Sequence, residues 1–184
     1  MANRHHFKIL SAGLGFVLLA SSATDSAFAR LPWAATSGLH FVEAVVNADN
    51  YRAAVGGLAM KKSPSSDVRE FGRMLWEASI EDTRRLKRAL MKAEPYVVLS
   101  SQVSTHYMFV IDELLPVSGD AFDQRFITQQ TASLSEALAL AQAYERWGDD
   151  FDLKDFAARS VPKLEMQLMR IREIEMRHQT LAMR

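Results

Sequence analysis

Two short patterns in this chain combine residue types and spacing suited to holding a metal ion. Glu175-x-x-His178 sets a carboxylate and an imidazole three residues apart, which on a helix turns both toward one ion, and His40-x-x-Glu43 has the same spacing reversed. Carboxylate-and-histidine helices of this type hold paired iron or manganese ions in helical bundles. If the end of the last helix lies beside the start of the first, His40, Glu43, Glu175 and His178 meet as a centre for iron, manganese or copper. The competing reading is two solvated helix ends, with His178 favourably placed at the negative end of its helix dipole. Met166-x-x-Met169, followed by Met176 and Met183, offers softer thioether ligands suited to monovalent copper. The seven-residue spacing of Met169, Met176 and Met183 is equally that of a packing stripe in a core or against a partner, and the sequence favours this reading.

Catalytic chemistry finds less support. The chain has no cysteine, and it carries no Gly-x-Ser-x-Gly elbow, phosphate-cradling glycine loop or His-Glu-x-x-His pair. Ser104, Thr105 and His106 are adjacent, but neighbours along a helix point apart, so they form no nucleophile and base. Glu77, Glu81 and Glu136 lack histidines at useful spacing. An enzymatic role is therefore disfavoured and no cofactor is expected. The basic run Arg84, Arg85, Lys87, Arg88 and Lys92 sets Arg84, Arg88 and Lys92 on one face, which could meet anionic head groups. With Glu81 and Asp82 beside it, the run reads better as a solvated, self-neutralised face, Glu81 pairing with Arg85.

The elements that must position these groups are helical. Thr36 or Ser37 can cap a first long helix, Ser37 to Lys61, with Phe41, Val45, Val55, Leu58 and Ala59 at helical spacing and Gly56-Gly57 weakening its end. Ser63-Pro64-Ser65-Ser66 supplies a stop and a new cap. A second helix, Asp67 to Ala93, carries Val68, Phe71, Leu75, Leu86 and Leu90 and ends before Pro95. Between Tyr96 and Pro116 the spacing of Val103, Tyr107, Val110 and Leu114 predicts a short accessory helix. A third long helix runs from the cap Asp120 to Trp147, with Phe122, Phe126, Leu134, Leu138 and Ala141 inward. A fourth starts near Asp152 with Phe156, Val161, Leu164, Leu168 and Ile171, and Pro162 inside it should kink or divide it. Four long helices with one long crossover make an all-α four-helix bundle. The accessory segment Val97 to Leu115 is apolar over more than one neighbour can cover. Tyr107, Phe109 and Ile111 are thus its candidate partner contacts.

The N-terminus is an address. Arg4 and Lys8 precede the apolar run Ile9 to Ala20, and Ala27-Phe28-Ala29 supplies small residues at a cleavage site, the layout of a secretory signal peptide. As a helix that run reaches about 18 Å against a hydrocarbon core of about 30 Å, so a stable span is not expected. The organisation read from this is a signal peptide 1–29, an extended leader 30–36 and a bundle domain 37–184, exported to the periplasm and open to envelope association. The lack of cysteine excludes a lipid-bearing cysteine and thiolate metal sites. Of 184 residues, 22 are basic and 22 acidic, and cleavage keeps the chain within one charge of neutral. No nucleic-acid partner is expected from such a balance. The partner is an unidentified protein or envelope component, or a second copy of the chain.

Several stretches, taken in order, resemble the domain-of-unknown-function 4142 family of exported ferritin-like bundles. They are Leu58-Ala59, Asp67 to Met74, Ser118 to Asp123, Glu136 to Leu140, and Leu153 to Ala158 with Val161-Pro162-Lys163-Leu164. The resemblance covers about Leu39 to His178 and implies a ferritin-like four-helix bundle with the accessory helix in the crossover, and no known reaction. It further implies interior polar positions, histidines in the second, third and fourth long helices and a glutamate in the first. These fall here on Ala78, Leu134, Gln167 and Arg52. The expectation is a non-enzymatic binding protein with a degenerate metal site and an apolar interior; the alternative is a periplasmic ferritin-like metal-binding protein.

Overall fold

The apolar-periodic segments fold as helices, and no strand occurs among the described residues. The structure, a computed structural model, describes residues 37–93 and 98–182, apart from the side chains at 92, 93, 181 and 182. The signal segment 1–29, its cleavage after Ala29 and the leader 30–36 lie outside the described residues, as do Tyr96, Val97 and Met183. The helices are α1 (Gly38–Lys62), α2 (Ser66–Ala93), a short α3 (Thr105–Asp112), α4 (Gly119–Trp147) and α5 (Phe151–Ala182).

Caps show how the ends are joined. Ser37, expected to cap α1, makes no capping bond with its side chain. Asp149, in the turn between α4 and α5, replaces it: Oδ1 accepts from the Gly38 amide at 2.9 Å and from the Tyr144 hydroxyl at 2.8 Å. Other caps are local. The Ser65 hydroxyl accepts from the Val68 amide at 3.4 Å, and Asp150 Oδ1 accepts from the Leu153 amide at 2.8 Å. α4 begins at Gly119, one residue ahead of the expected Asp120, with a φ of 61° that suits glycine.

Asp149 thus holds the start of α1 against the end of α4 and the start of α5. At the other end, Arg177 of α5 pairs with Asp67 of α2 at 3.2 Å, and His178 lies 3.9 Å from Asp123 of α4. α1 and α5 therefore run one way, α2 and α4 the other, and the packed neighbours α1–α2, α2–α5, α5–α4 and α4–α1 are all antiparallel. The end where α1 begins is called the base here and the opposite end the crown. The crossover climbs from base to crown along α1. Asn50 Nδ2 donates to the carbonyls of Ser100 and Gln102 at 3.1 and 2.9 Å, Tyr107 stacks on Tyr51, and Lys62 Nζ donates to the carbonyls of Leu114 and Leu115 at 3.0 and 2.6 Å. Because side chains of α1 take up these carbonyls, only Thr105–Asp112 coils, less than the apolar spacing predicts.

Two expected interruptions do not break their helices. α1 continues through Gly56-Gly57 because Gly56 is where α2 comes closest: a Cβ on Gly72 would lie 2.8 Å from the Gly56 carbonyl and 2.7 Å from the Ala59 Cβ. Pro162 does not divide α5, which is a single helix. Residue 162 has no amide hydrogen to give, but buried residues on both sides of it pin the helix: Phe156 and Ala157 toward the base, Leu164, Leu168 and Ile171 toward the crown. The core forms two clusters. Phe41, Val46, Leu86, Tyr144, Leu153 and Phe156 fill the base half; Val55, Phe71, Leu75, Phe126, Leu134 and Ile171 fill the crown half.

Candidate functional site

The interior between these clusters is polar, which overturns the expectation that it is simply apolar. α1 turns in Asp49 and Arg52 between Val46 and Val55, α2 turns in Ser79 and Asp82 between Leu75 and Leu86, and α5 turns in Ser160 between Ala157 and Leu164. Asp49 is 2% and Arg52 6% exposed, and Arg52 Nη2 donates to Asp49 Oδ1 at 2.6 Å. Asp49 Oδ2 and Arg52 Nη1 are buried without a hydrogen-bond partner. Both residues, with Asp82, Ala137 and Ser160, line a cavity of about 40 Å³. That is polar enough, and above the roughly 10–15 Å³ needed, to take a water.

Burial pushes the Asp49 carboxyl up to about 6 against the pull of Arg52, and the charge of Asp82 adds to the rise. Asp82 is itself engaged, its Oδ1 accepting from Arg85 Nη1 and Lys163 Nζ at 3.3 Å each. On the crown side, the buried Tyr51 hydroxyl accepts from Gln130 Nε2 at 3.0 Å and meets Gln129 Oε1 at 3.3 Å. Gln130 Oε1 and the Ser133 hydroxyl have no partner. Burial raises the Tyr51 and Tyr107 hydroxyls above the usual phenol range. The layer can hold water and exchange a proton at Asp49 near neutral pH. A metal cation is opposed there, because the Arg52 guanidinium is a permanent positive charge that only donates.

The residues singled out in the sequence divide. His40 and Glu43 are exposed at the base, whereas Glu175 and His178 are half-buried at the crown. Since α1 and α5 run the same way, about 35 Å of helix at about 1.5 Å per residue separates the two pairs. The four-residue centre His40, Glu43, Glu175 and His178 does not assemble. Among the described residues no group of three or more His, Asp or Glu side chains is placed to hold a metal. His178 faces Asp123, which is fully buried. Burial raises the Asp123 carboxyl, an effect partly offset by the nearby Ser63 hydroxyl, the charge of His178 and the Ser65 amide. Met166, Met169 and Met176 are more than half exposed on α5, so their spacing is a surface stripe and not core packing. Glu81 pairs with Arg84 and Arg88, leaving Arg85 to Asp82.

The contact trio also splits. Tyr107 turns inward, its ring 4.5 Å from that of Tyr51, and Ile111 packs half-buried against the core. Phe109, 69% exposed, faces outward with Met108 and Leu115. Sequence reasoning missed the Asp49–Arg52 pair because an acid and a base three residues apart also describe a solvated helix face. One signal was available: Arg52 stands roughly three turns after Phe41 and two before Ala59, on the apolar side of α1.

A family model described as "Domain of unknown function (DUF4142)" matches residues 23–174. No curated protein matches the sequence. Among solved structures, the chain is similar to "CopM in the Cu(II)-bound form", with a TM-score of 0.63 and 10% sequence identity, over 74% of this chain and 94% of that one. At this identity the likeness is one of fold.

Proposed function

The chain belongs to the domain-of-unknown-function 4142 family, and from that membership we propose an exported, non-enzymatic bundle of ferritin-like topology that acts in the periplasm by binding an envelope component. The observation that carries this reading is the Asp49–Arg52 pair between the two core clusters. It puts a fixed cation and its counter-ion where a ferritin-like protein would gather carboxylates and histidines around metal. Ala78, Leu134 and Gln167, the other positions that the family resemblance marks, add no strong ligand. What remains for function is surface. The outward side of the crossover, Phe109 with Met108 and Leu115, is the contact face; Tyr107 and Ile111 anchor it from beneath.

A second reading, a ferritin-like metal-binding protein for iron, manganese or copper, is favoured by the fold neighbour solved with Cu(II) and by the exposed thioethers of Met166, Met169 and Met176. One experiment separates the two. Tag-free protein taken from the periplasm should carry less than about a tenth of an equivalent of any transition metal, and added Cu(I), Cu(II), Mn(II) or Fe(II) should not raise its melting temperature. Stoichiometric metal with a raised melting temperature establishes the second reading instead.

A further inference from the structure

Methionine ordinarily fills gaps in a core, yet α5 turns three of them outward. Met166, Met169 and Met176 are 55%, 58% and 61% exposed, whereas Leu164, Leu168, Ile171 and Ile174 of the same helix are buried. At about 3.6 residues per turn and about 1.5 Å of rise per residue, the three methionines fall within an arc of about 80° and about 15 Å of helix, on the side opposite those four. They form one exposed apolar face. The chain has no cysteine, so no thiol competes with these thioethers for an oxidant. We propose that this face of α5 is a reversible oxidation site: two-electron oxidants of the peroxide class convert Met166, Met169 and Met176 to sulfoxides, and the face becomes polar while the bundle stays folded.

In each step the sulfur lone pair attacks one oxygen of hydrogen peroxide. An S–O bond forms, the O–O bond breaks, sulfur is oxidised by two electrons, and the second oxygen leaves with both protons as water. Two thiols of a reductase system reverse the step, becoming a disulfide as the oxygen departs as water. Access sets the order of reaction, because the peroxide must reach the sulfur. Met74 packs half-buried against the core and Met60 is half-buried on α1, so both lag behind the outer face. Placement also decides what oxidation does to the fold. In a core the new S–O dipole would be left without hydrogen bonds, whereas on the outer face water supplies them. The exposed Arg172 stands three residues after Met169 and four before Met176, within reach of either new oxygen as a donor. Met91 and Met108 are exposed too, but each is the one exposed methionine of its helix among the described residues, so a sulfoxide there adds a single dipole and not a polar face. The chemistry needs no bound metal and holds whichever partner the bundle binds.

The test treats tag-free protein with hydrogen peroxide in the presence of a metal chelator. Sulfoxide is read by peptide mass spectrometry, folding by thermal melts and exposed apolar area by retention on a hydrophobic-interaction column. Met166, Met169 and Met176 should oxidise at least about tenfold faster than Met60 and Met74. The oxidised protein should melt within about 2 °C of the untreated one and leave the column earlier. Methionine sulfoxide reductases A and B with dithiothreitol should restore its retention. The Met166→Leu/Met169→Leu/Met176→Leu variant keeps the face apolar without the sulfur, so peroxide should shift its retention by less than about half as much. Equal oxidation rates at the outer and half-buried methionines overturn the proposal. So does a larger fall in melting temperature, which makes oxidation a lesion of the core, and so does retention that the reductases do not restore. A retention shift as large in the variant as in the wild type places the polar change elsewhere and overturns it as well.

Discussion

Arg52 is buried where a charged side chain is most expensive, and Asp49 is what makes that position tolerable. Removing one member alone leaves the other buried without its partner. Arg52→Leu should lower stability by about 3–5 kcal/mol, whereas the double variant Asp49→Leu/Arg52→Leu should recover most of the loss or exceed the wild type, as measured by chemical denaturation. The pH dependence has a definite sign. The folded Asp49 carboxyl sits at about 6 against 3.8 unfolded, so its contribution to stability is full below the unfolded value and is lost as pH rises through the folded one. Compared with the double variant, the wild type should lose about 3 kcal/mol between about pH 4 and pH 7. A flat difference between the two denaturation curves would remove the raised carboxyl.

Neighbouring glycines of α1 have opposite roles, and this is decided by α2. A Cβ on Gly56 would collide with the backbone of α2 at Gly72, whereas nothing lies within 4 Å of one on Gly57. Gly57→Ala should raise stability by about 0.5–1 kcal/mol through helix propensity, and Gly56→Ala should lower it by about 1–3 kcal/mol by forcing two helices apart. Thermal melts of the two variants, one shifted up and one down, check this. The sequence alone marks both as a weak helix end, since propensity cannot tell a glycine kept for closeness from one facing water. The crossover shows the same division. Its apolar spacing picks out Tyr107, Val110 and Leu114, all turned inward or buried, but the bonds from Asn50 and Lys62 that hold its backbone open come from a helix far away in sequence.

Across the whole molecule the two ends differ: the base gathers exposed apolar side chains and the entry of the N-terminal segment, and the crown gathers the ion pair Arg177–Asp67 and the buried Asp123 beside His178. Secreted protein should begin at Arg30, which N-terminal sequencing checks; a chain that begins at Met1 would overturn cleavage after Ala29. The long helices, both ends of the first three and the start of the last were legible in the sequence to within about one residue, as were the buried stripes Val68, Phe71, Leu75, Leu86 and Leu90 of α2 and Phe122, Phe126 and Leu134 of α4. Periodicity, prolines and capping residues act over one or two turns, so they can be read along the chain. Which ends meet cannot, because an amphipathic helix packs with either polarity. The cap that Asp149 gives to α1 settles direction here, sends His40 and Glu43 to one end and Glu175 and His178 to the other, and brings Asp49, Arg52, Asp82 and Ser160 from three helices around one cavity. Local pattern gave each helix a buried face, and only the packing of those faces showed that a charged pair lies inside.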